Sequence, residues 1–314
     1  MPVDPQAQAL IDSLAGLPPL STMSLEEVRE GLEQRSRLTA GQPEPVAEMR
    51  DALMPGPGGS LKLRLYRPTN QQNLPGLVYF HGGGWVRGSL QTHDVLCRAL
   101  ANAGECVVVS VDYRLAPEAK FPAAIDDAWA ATQWVAHNAA QLGIDTARIA
   151  VGGDSAGGQL AAAVTLLARD QAGPRLVFQL LLYPVLEYNF DTQSYRDCAE
   201  GYLLTREAMV YYWRHYLRDE SDGADVRASP LRAQDLGNLP PALVVTAEYD
   251  VLRDEARAYA ERLRADGTVV EYRHIAGMIH GFATSTGALD VGRQAVREVG
   301  ASLRAALAAP VGAR

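Results

Sequence analysis

A serine sits between two glycines in GDSAG (153–157), at the junction of the apolar run RIAVGG (148–153) and the alanine-rich stretch AGGQLAAAVTLLARD (156–170). Glycine-rich strand-to-helix turns serve two chemistries, cradling a phosphate or aiming a nucleophile. No lysine follows these glycines, and Gly153 and Gly158 do not fit G-x-G-x-x-G, so the phosphate reading is weak. The spacing does fit G-x-S-x-G, in which a serine on a strained turn points its hydroxyl at a carbonyl carbon. Gly153 and Gly157 stand where side chains would collide in such a turn. The helix that follows aims its free amides at developing negative charge.

A serine hydroxyl needs a base, and the base an orienting acid. Of the six histidines, His93 and His137 fall in helical segments, His215 in an inserted helical piece and His274 inside a strand. His280 lies in a loop, AGMIHGF, just past the last strand. Asp250 closes the strand ALVVTAEYD (242–250) at the same sheet edge. The order Ser155, Asp250, His280 is that of α/β-hydrolases. Asp254 and Glu255 are competing acids, though both lie in the next helix. Asp250 as a helix cap and His280 as an ordinary loop histidine are the alternatives. In HGGGW (81–85), three successive glycines let backbone amides turn inward toward an oxyanion. His81 is expected to anchor that loop through hydrogen bonds. Asp154, beside the serine, is expected to hydrogen-bond neighbouring loops.

The elements that must position these residues alternate. Strand patterns cover 76–80, 106–113, 148–153, 176–184, 242–250 and 269–275, with LKLRLY (61–66) as an antiparallel edge strand. Helix-length segments lie between them, at 93–103, 123–141, 155–170, 254–265 and 290–308. Such alternation predicts an α/β fold, a mostly parallel sheet covered on both faces. Two stretches break the rhythm: residues 1–45, where Ser24 and Glu27 form a capping-box signal, and the tyrosine-rich insertion 186–225.

Composition narrows the class. Lys and Arg number 29 against 37 Asp and Glu, a net charge of −8 with no basic stripe, which argues against nucleic acid or an anionic membrane as partner. The three cysteines, Cys97, Cys106 and Cys198, form no C-x-x-C pair and are expected to be free buried thiols. No signal-peptide pattern opens the chain, and the longest apolar stretch (176–186) contains Gln179 and is too short to span a bilayer. A soluble, cytoplasmic protein without stable membrane insertion is expected. There is no H-E-x-x-H and no cysteine–histidine cluster for a metal.

Five segments together, HGGGW (81–85), DYRLAPEAKFPAAIDDA (112–128), GDSAGG (153–158), EYDVLRDEA (248–256) and GMIHGF (277–282), resemble the bacterial hormone-sensitive-lipase-type (family IV) carboxylesterases of the GDSAGG branch. The resemblance spans residues 60–285 and implies an α/β-hydrolase fold. The core would run through 46–185 and 226–314, under a helical cap from 1–45 and 186–225. It implies Ser155 as nucleophile, Asp250 as acid and His280 as base, with the amides of Gly83, Gly84 and Ala156 as oxyanion donors. It further implies hydrolysis of short- to medium-chain acyl esters, no cofactor, and possible homodimers. Val251 stands where the family commonly has proline, which alters turn stiffness and leaves the carboxylate in place.

Trp85, Tyr183, Tyr212 and Phe282 lie near the motifs or in the insertion. They are candidates for an acyl pocket, with ordinary core packing as the alternative. Arg114 and Glu118 are expected to be scaffold, joined as an internal ion pair. An amidase or deacetylase would use the same triad. A non-catalytic small-molecule receptor on this fold is disfavoured by the presence of His280.

Overall fold

The computed structural model describes residues 2–308. Two helices come first, α1 (Pro5–Ser13) and α2 (Leu25–Thr39). Helix α2 begins where the capping box predicts: Ser24 Oγ accepts from Glu27 N at 3.2 Å, and Ser24 N donates to Glu27 Oε2 at 2.7 Å. The chain then alternates through β1 (Glu48–Gly56), β2 (Gly59–Arg67), β3 (Leu74–Phe80), α3 (Asp94–Gly104), β4 (Val107–Asp112), α4 (Ala123–His137), β5 (Ile144–Asp154), α5 (Ala156–Asp170) and β6 (Phe178–Leu182). After α6 (Gln193–Asp197) and α7 (Arg206–Tyr216) it closes with β7 (Ala242–Tyr249), α8 (Arg253–Ala265), β8 (Val270–Ile279) and α9 (Asp290–Ala308).

The eight strands form one sheet in the order β1-β2-β4-β3-β5-β6-β7-β8. Strands β1, β2 and β4 pair antiparallel, and every other pairing is parallel. The central strands are buried on both faces, so they read as continuous apolar runs. In β3, Val78 and Phe80 face the layer of α4, α5 and α8, whereas Leu77 and Tyr79 face α1, α3 and α9. The carboxyl ends of β3, β5, β7 and β8 lead directly into the loops of His81, Ser155, Asp250 and His280.

Two expectations are corrected. LKLRLY is antiparallel but lies inside the sheet, because β1 pairs along its whole length and takes the edge. Strand β1 escaped notice because Glu48, Met49, Arg50, Asp51 and Leu53 are all exposed, leaving no apolar alternation to read. Charge suits an edge strand: Asp51 takes Arg64 at 2.6 Å and Lys62 at 2.8 Å. Nor do Arg114 and Glu118 pair. Arg114 grips Asp127 of α4 with Nε and Nη2, both at 2.8 Å, and Glu118 takes Arg29 of α2 at 2.7 Å. Asp127 is buried, and a buried carboxylate requires a hydrogen-bonded partner more than the exposed Glu118 does.

The insertion between β6 and β7 is tied down at its root. Glu255 Oε1 accepts from Leu186 N at 2.6 Å, Asp254 Oδ2 from Ser194 N at 2.7 Å, and Ser229 Oγ from Tyr188 N at 2.8 Å. Burial pushes the Glu255 carboxyl well above the ordinary carboxylate range. All three cysteines are free and buried.

On the opposite layer α3 and α9 approach closely through small residues: a Cβ on Gly104 would lie 2.9 Å from Leu303 Cδ2, and one on Gly300 would strike Ala103. Leu303 is fully buried there, and Arg304 beside it is exposed. Leu303→Ala should therefore cost about 2–5 kcal/mol by chemical denaturation, with Arg304→Ala within about 0.5 kcal/mol of the parent. Equal losses for the two variants would contradict this packing.

Candidate active site

Strand β5 passes into α5 with Ser155 as the sole intervening residue, at φ 55° and ψ −121°. A non-glycine residue there stores about 1–3 kcal/mol of strain and persists only where its surroundings over-determine it. Here they do. Ser155 N donates to Leu182 O at 2.9 Å, and Ser155 O accepts from Val185 N at 3.1 Å. A Cβ on Gly153 would collide with the Gly157 carbonyl, and one on Gly157 with Phe80 O. Both flanking positions thus require glycine. Gly158 lets the helix approach the chain beyond β6, since a Cβ there would lie 2.7 Å from Pro184 Cβ.

The structure brings Ser155, His280 and Asp250 into one line. His280 Nε2 is 3.0 Å from Ser155 Oγ, and His280 Nδ1 is 2.7 Å from Asp250 Oδ2. Asp250 Oδ1 accepts from Leu252 N at 2.9 Å, so one carboxylate both shapes its own turn and orients the ring. Asp250 is buried, and Ser155 is nearly so at 8% exposure, leaving its hydroxyl a narrow approach. The competing acids Asp254 and Glu255 are occupied by the insertion's backbone.

The loop after β3 carries the glycine run. Gly83 and Gly84 have φ of +126° and +63°, and side chains at these positions would meet Arg87 O and the Tyr212 ring respectively. The amides of Val86 and Arg87 close the turn on Gly83 O at 3.3 and 3.1 Å. Among the described residues the amides of Gly83 and Gly84 have no acceptor, whereas Gly82 N donates to Asp154 Oδ1 at 3.0 Å. Ala156, the first residue of α5, presents its amide beside the serine.

Asp154 is a hub that sequence reasoning left half explained. Its Oδ1 also accepts from Tyr79 OH at 2.8 Å, and His93 Nε2 lies 3.1 Å away. A proton on Nε2 is the tautomer that this carboxylate favours, and the Gly82 amide also points at the same nitrogen, at 3.2 Å. Burial pushes the Asp154 carboxyl up, but the His93 ring and the Tyr79 hydroxyl outweigh it, and the carboxyl rests below its ordinary range. His93 lies just before α3, and sequence reading placed it only as an anonymous helical residue. No local pattern links it to Asp154, 61 residues on. His81 stacks on Tyr113 at 4.2 Å, its Nδ1 is 2.9 Å from Gly82 O, and Tyr113 OH donates to His81 O at 2.7 Å. Burial, reinforced by His93, pulls the His81 ring down to about 3, so it is neutral and donates from Nδ1.

The four aromatic candidates separate. Tyr212, on α7, covers Gly84 and lines a cleft of about 470 Å³ between α1, α2 and the segment 201–212. Trp85 is fully buried, stacked on Tyr216 at 4.1 Å with its Nε1 donating to Gln159 at 2.9 Å. Tyr183 and Phe282 are buried behind the triad, with Tyr183 edge-on to His280 at 4.7 Å and to Phe282 at 5.2 Å. Among the described residues no group of three or more His, Cys, Asp or Glu stands close enough to hold a metal ion, and no helix is long and apolar enough to cross a membrane.

The profile of the alpha/beta hydrolase fold family matches residues 77–284. The carboxylic ester hydrolase LipN of Mycobacterium tuberculosis (strain ATCC 25618 / H37Rv) is 46% identical over 246 residues, 76% of this chain and 65% of that protein. The chain therefore spans just under two thirds of LipN. The esterase LipI of the same organism is 40% identical over 290 residues, 91% of each chain. Among solved structures, a hyperthermophilic esterase from the archaeon Pyrobaculum calidifontis superposes with a TM-score of 0.94 at 44% identity, covering 98% of this chain and 100% of that one. With a profile match over 77–284 and relatives of 40–44% identity along nearly the whole chain, the chain belongs to the α/β-hydrolase family, in its hormone-sensitive-lipase branch.

Proposed function

We propose that this chain, a carboxylesterase by family, hydrolyses short- to medium-chain acyl esters through an acyl-enzyme on Ser155. The observation that carries the reading is the unbroken hydrogen-bond line from Asp250 through His280 to Ser155. His280 Nε2 takes the hydroxyl proton as Ser155 Oγ attacks the ester carbonyl carbon. Asp250 holds the ring with Nδ1–H directed at its carboxylate and stabilises the imidazolium that forms. The tetrahedral oxyanion accepts from the amides of Gly83, Gly84 and Ala156, aided by the amino end of α5. Imidazolium then protonates the leaving alkoxide, the C–O bond breaks and the acyl group stays on Oγ. Water attacks the acyl carbon in turn and gives its proton to Nε2. Collapse returns that proton to Ser155 and frees the acid. Residues 1–45 and 186–225 act as a cap over this chemistry, with Tyr212 forming part of the acyl or alcohol wall. Trp85, Tyr183 and Phe282 support the walls from behind.

Ser155→Ala should lower kcat on p-nitrophenyl butyrate by at least about 10⁴-fold with the fold intact by circular dichroism. Turnover near the parent's would remove the serine from this role. Across a p-nitrophenyl series of rising acyl length, kcat/KM should peak at short to medium chains; a peak at long chains would make the enzyme a lipase. Asp154 acts as a positioning residue that holds Gly82 and so aims the next two amides. Asp154→Asn keeps an acceptor for Gly82 N and Tyr79 OH. It should retain measurable activity, whereas Asp154→Ala should lower kcat by roughly 10–100-fold with little change in KM. A loss in Asp154→Asn as deep as in Ser155→Ala would place Asp154 in the chemistry itself.

A further inference from the structure

The cleft beneath α2 and α7 is largely apolar, walled by Ile11, Leu14, Leu17, Leu203 and Leu204. Two of its lining residues also border the site's loops: a Cβ on Gly84 would meet the Tyr212 ring, and one on Gly281, next to His280, would lie 3.8 Å from Leu203 Cδ2. Two arginines line it, Arg35 from α2 and Arg87 from the turn that follows the glycine loop. Among the described residues neither guanidinium has a carboxylate within ion-pair distance. The contrast with Arg29, one helical turn and a half earlier on α2, is direct: Arg29 grips Glu118 with two nitrogens, at 2.7 and 2.8 Å.

Two carboxylates also line the cleft, and neither forms an ion pair with these arginines: Glu27 is hydrogen-bonded within the capping box by Ser24, and Glu207 accepts from Ser21 Oγ at 2.9 Å, as Glu33 nearby accepts from Ser89 Oγ at 2.5 Å. Arg87 Nε and Tyr212 OH are both buried without a hydrogen-bond partner. Arg87 Cζ stands 5.3 Å over the Tyr212 ring, so these two orphaned donors share one wall. Burial, and then repulsion from Arg87, draws the Arg35 guanidinium down to about 10, so it stays charged at neutral pH with a second guanidinium nearby. Two guanidiniums without an ion-pair partner, one of them with its Nε orphaned beside an orphaned tyrosine hydroxyl, are a costly arrangement in a partly dry cleft that one anion relieves.

We propose that Arg35, Arg87 and the Tyr212 hydroxyl form an anion subsite that favours ester substrates carrying a carboxylate remote from the scissile bond. The inference rests on the Ser155 reading of the site and names a substrate class for it. A planar guanidinium pairs with carboxylate through two parallel N–H donors, a geometry the apolar remainder of the cleft does not offer to a neutral ester. The aliphatic walls then accommodate the chain that separates this charge from the ester carbonyl.

The test compares kcat/KM for two matched pairs. Mono-p-nitrophenyl glutarate against p-nitrophenyl valerate places the charge on the acyl side, and 5-acetoxypentanoate against pentyl acetate places it on the alcohol side. In Arg35→Met and Arg87→Met the anionic-to-neutral ratio of at least one pair should fall by about tenfold, with Arg35→Lys recovering part of it. Because each ratio is internal to one protein preparation, a partly unfolded variant does not distort it. A fall of less than roughly threefold in both pairs overturns the subsite. So does a parent enzyme that turns over both anionic esters roughly tenfold or more below their neutral mates. Failure of the Ser155 reading looks different: the parent would then hydrolyse neither neutral ester.

Discussion

One close crossing governs the rest of this molecule. The backbone of β5 turns into α5 over a single residue, with Gly153 against Gly157 and Gly157 against the carbonyl of Phe80. Nothing larger than hydrogen fits at either position, and that closeness, together with the two backbone hydrogen bonds of Ser155, keeps the serine at φ 55°. The helix therefore begins at Ser155 rather than beyond it, with its free amino end beside the serine. The same contact with Phe80 brings the end of β3 alongside. The glycine loop that follows β3 thus lies beside the serine because of sheet packing, before any loop hydrogen bond forms.

Three buried carboxylates lie within this region, and their surroundings give them different work. Asp154 is surrounded by donors from Tyr79, Gly82 and His93, which hold it ionised. Asp250 meets one ring nitrogen and one amide, a pairing that fixes the tautomer of His280. Glu255 meets backbone amides with no cation beside it, and burial pushes its carboxyl up. The residue types are nearly the same; the partners decide the roles.

Much of this was legible in the chain. G-x-S-x-G and the triple glycine are readable because a steric demand leaves a residue-type signature at fixed spacing. His280 could be singled out because it falls in a loop after a strand while the other histidines fall elsewhere. Central strands were readable from two-sided burial. What escaped was set by partners distant in sequence. His93 reaches Asp154 across the sheet, Arg114 chooses Asp127 over the nearer Glu118, and Arg35 meets Arg87 across the cleft. Strand β1 escaped for another reason, since an exposed charged edge carries no hydrophobic period.

The placement of the insertion has an evolutionary consequence. The chain leaves the sheet at the end of β6 and re-enters at β7, and those strands pair from Gln179 with Ala242 to Leu182 with Val245. The register between them is independent of whatever lies in between. The root is held mainly by backbone amides docking on acid side chains of α8, contacts that tolerate almost any residue on the insertion side. Residues 187–229 can thus vary without disturbing the pairing of β6 with β7, except where Tyr212 covers Gly84 and Tyr216 stacks on Trp85. Substitutions gathered there in descendants of this chain would reach the glycine loop through those two aromatic contacts while the register of the sheet stays as it is.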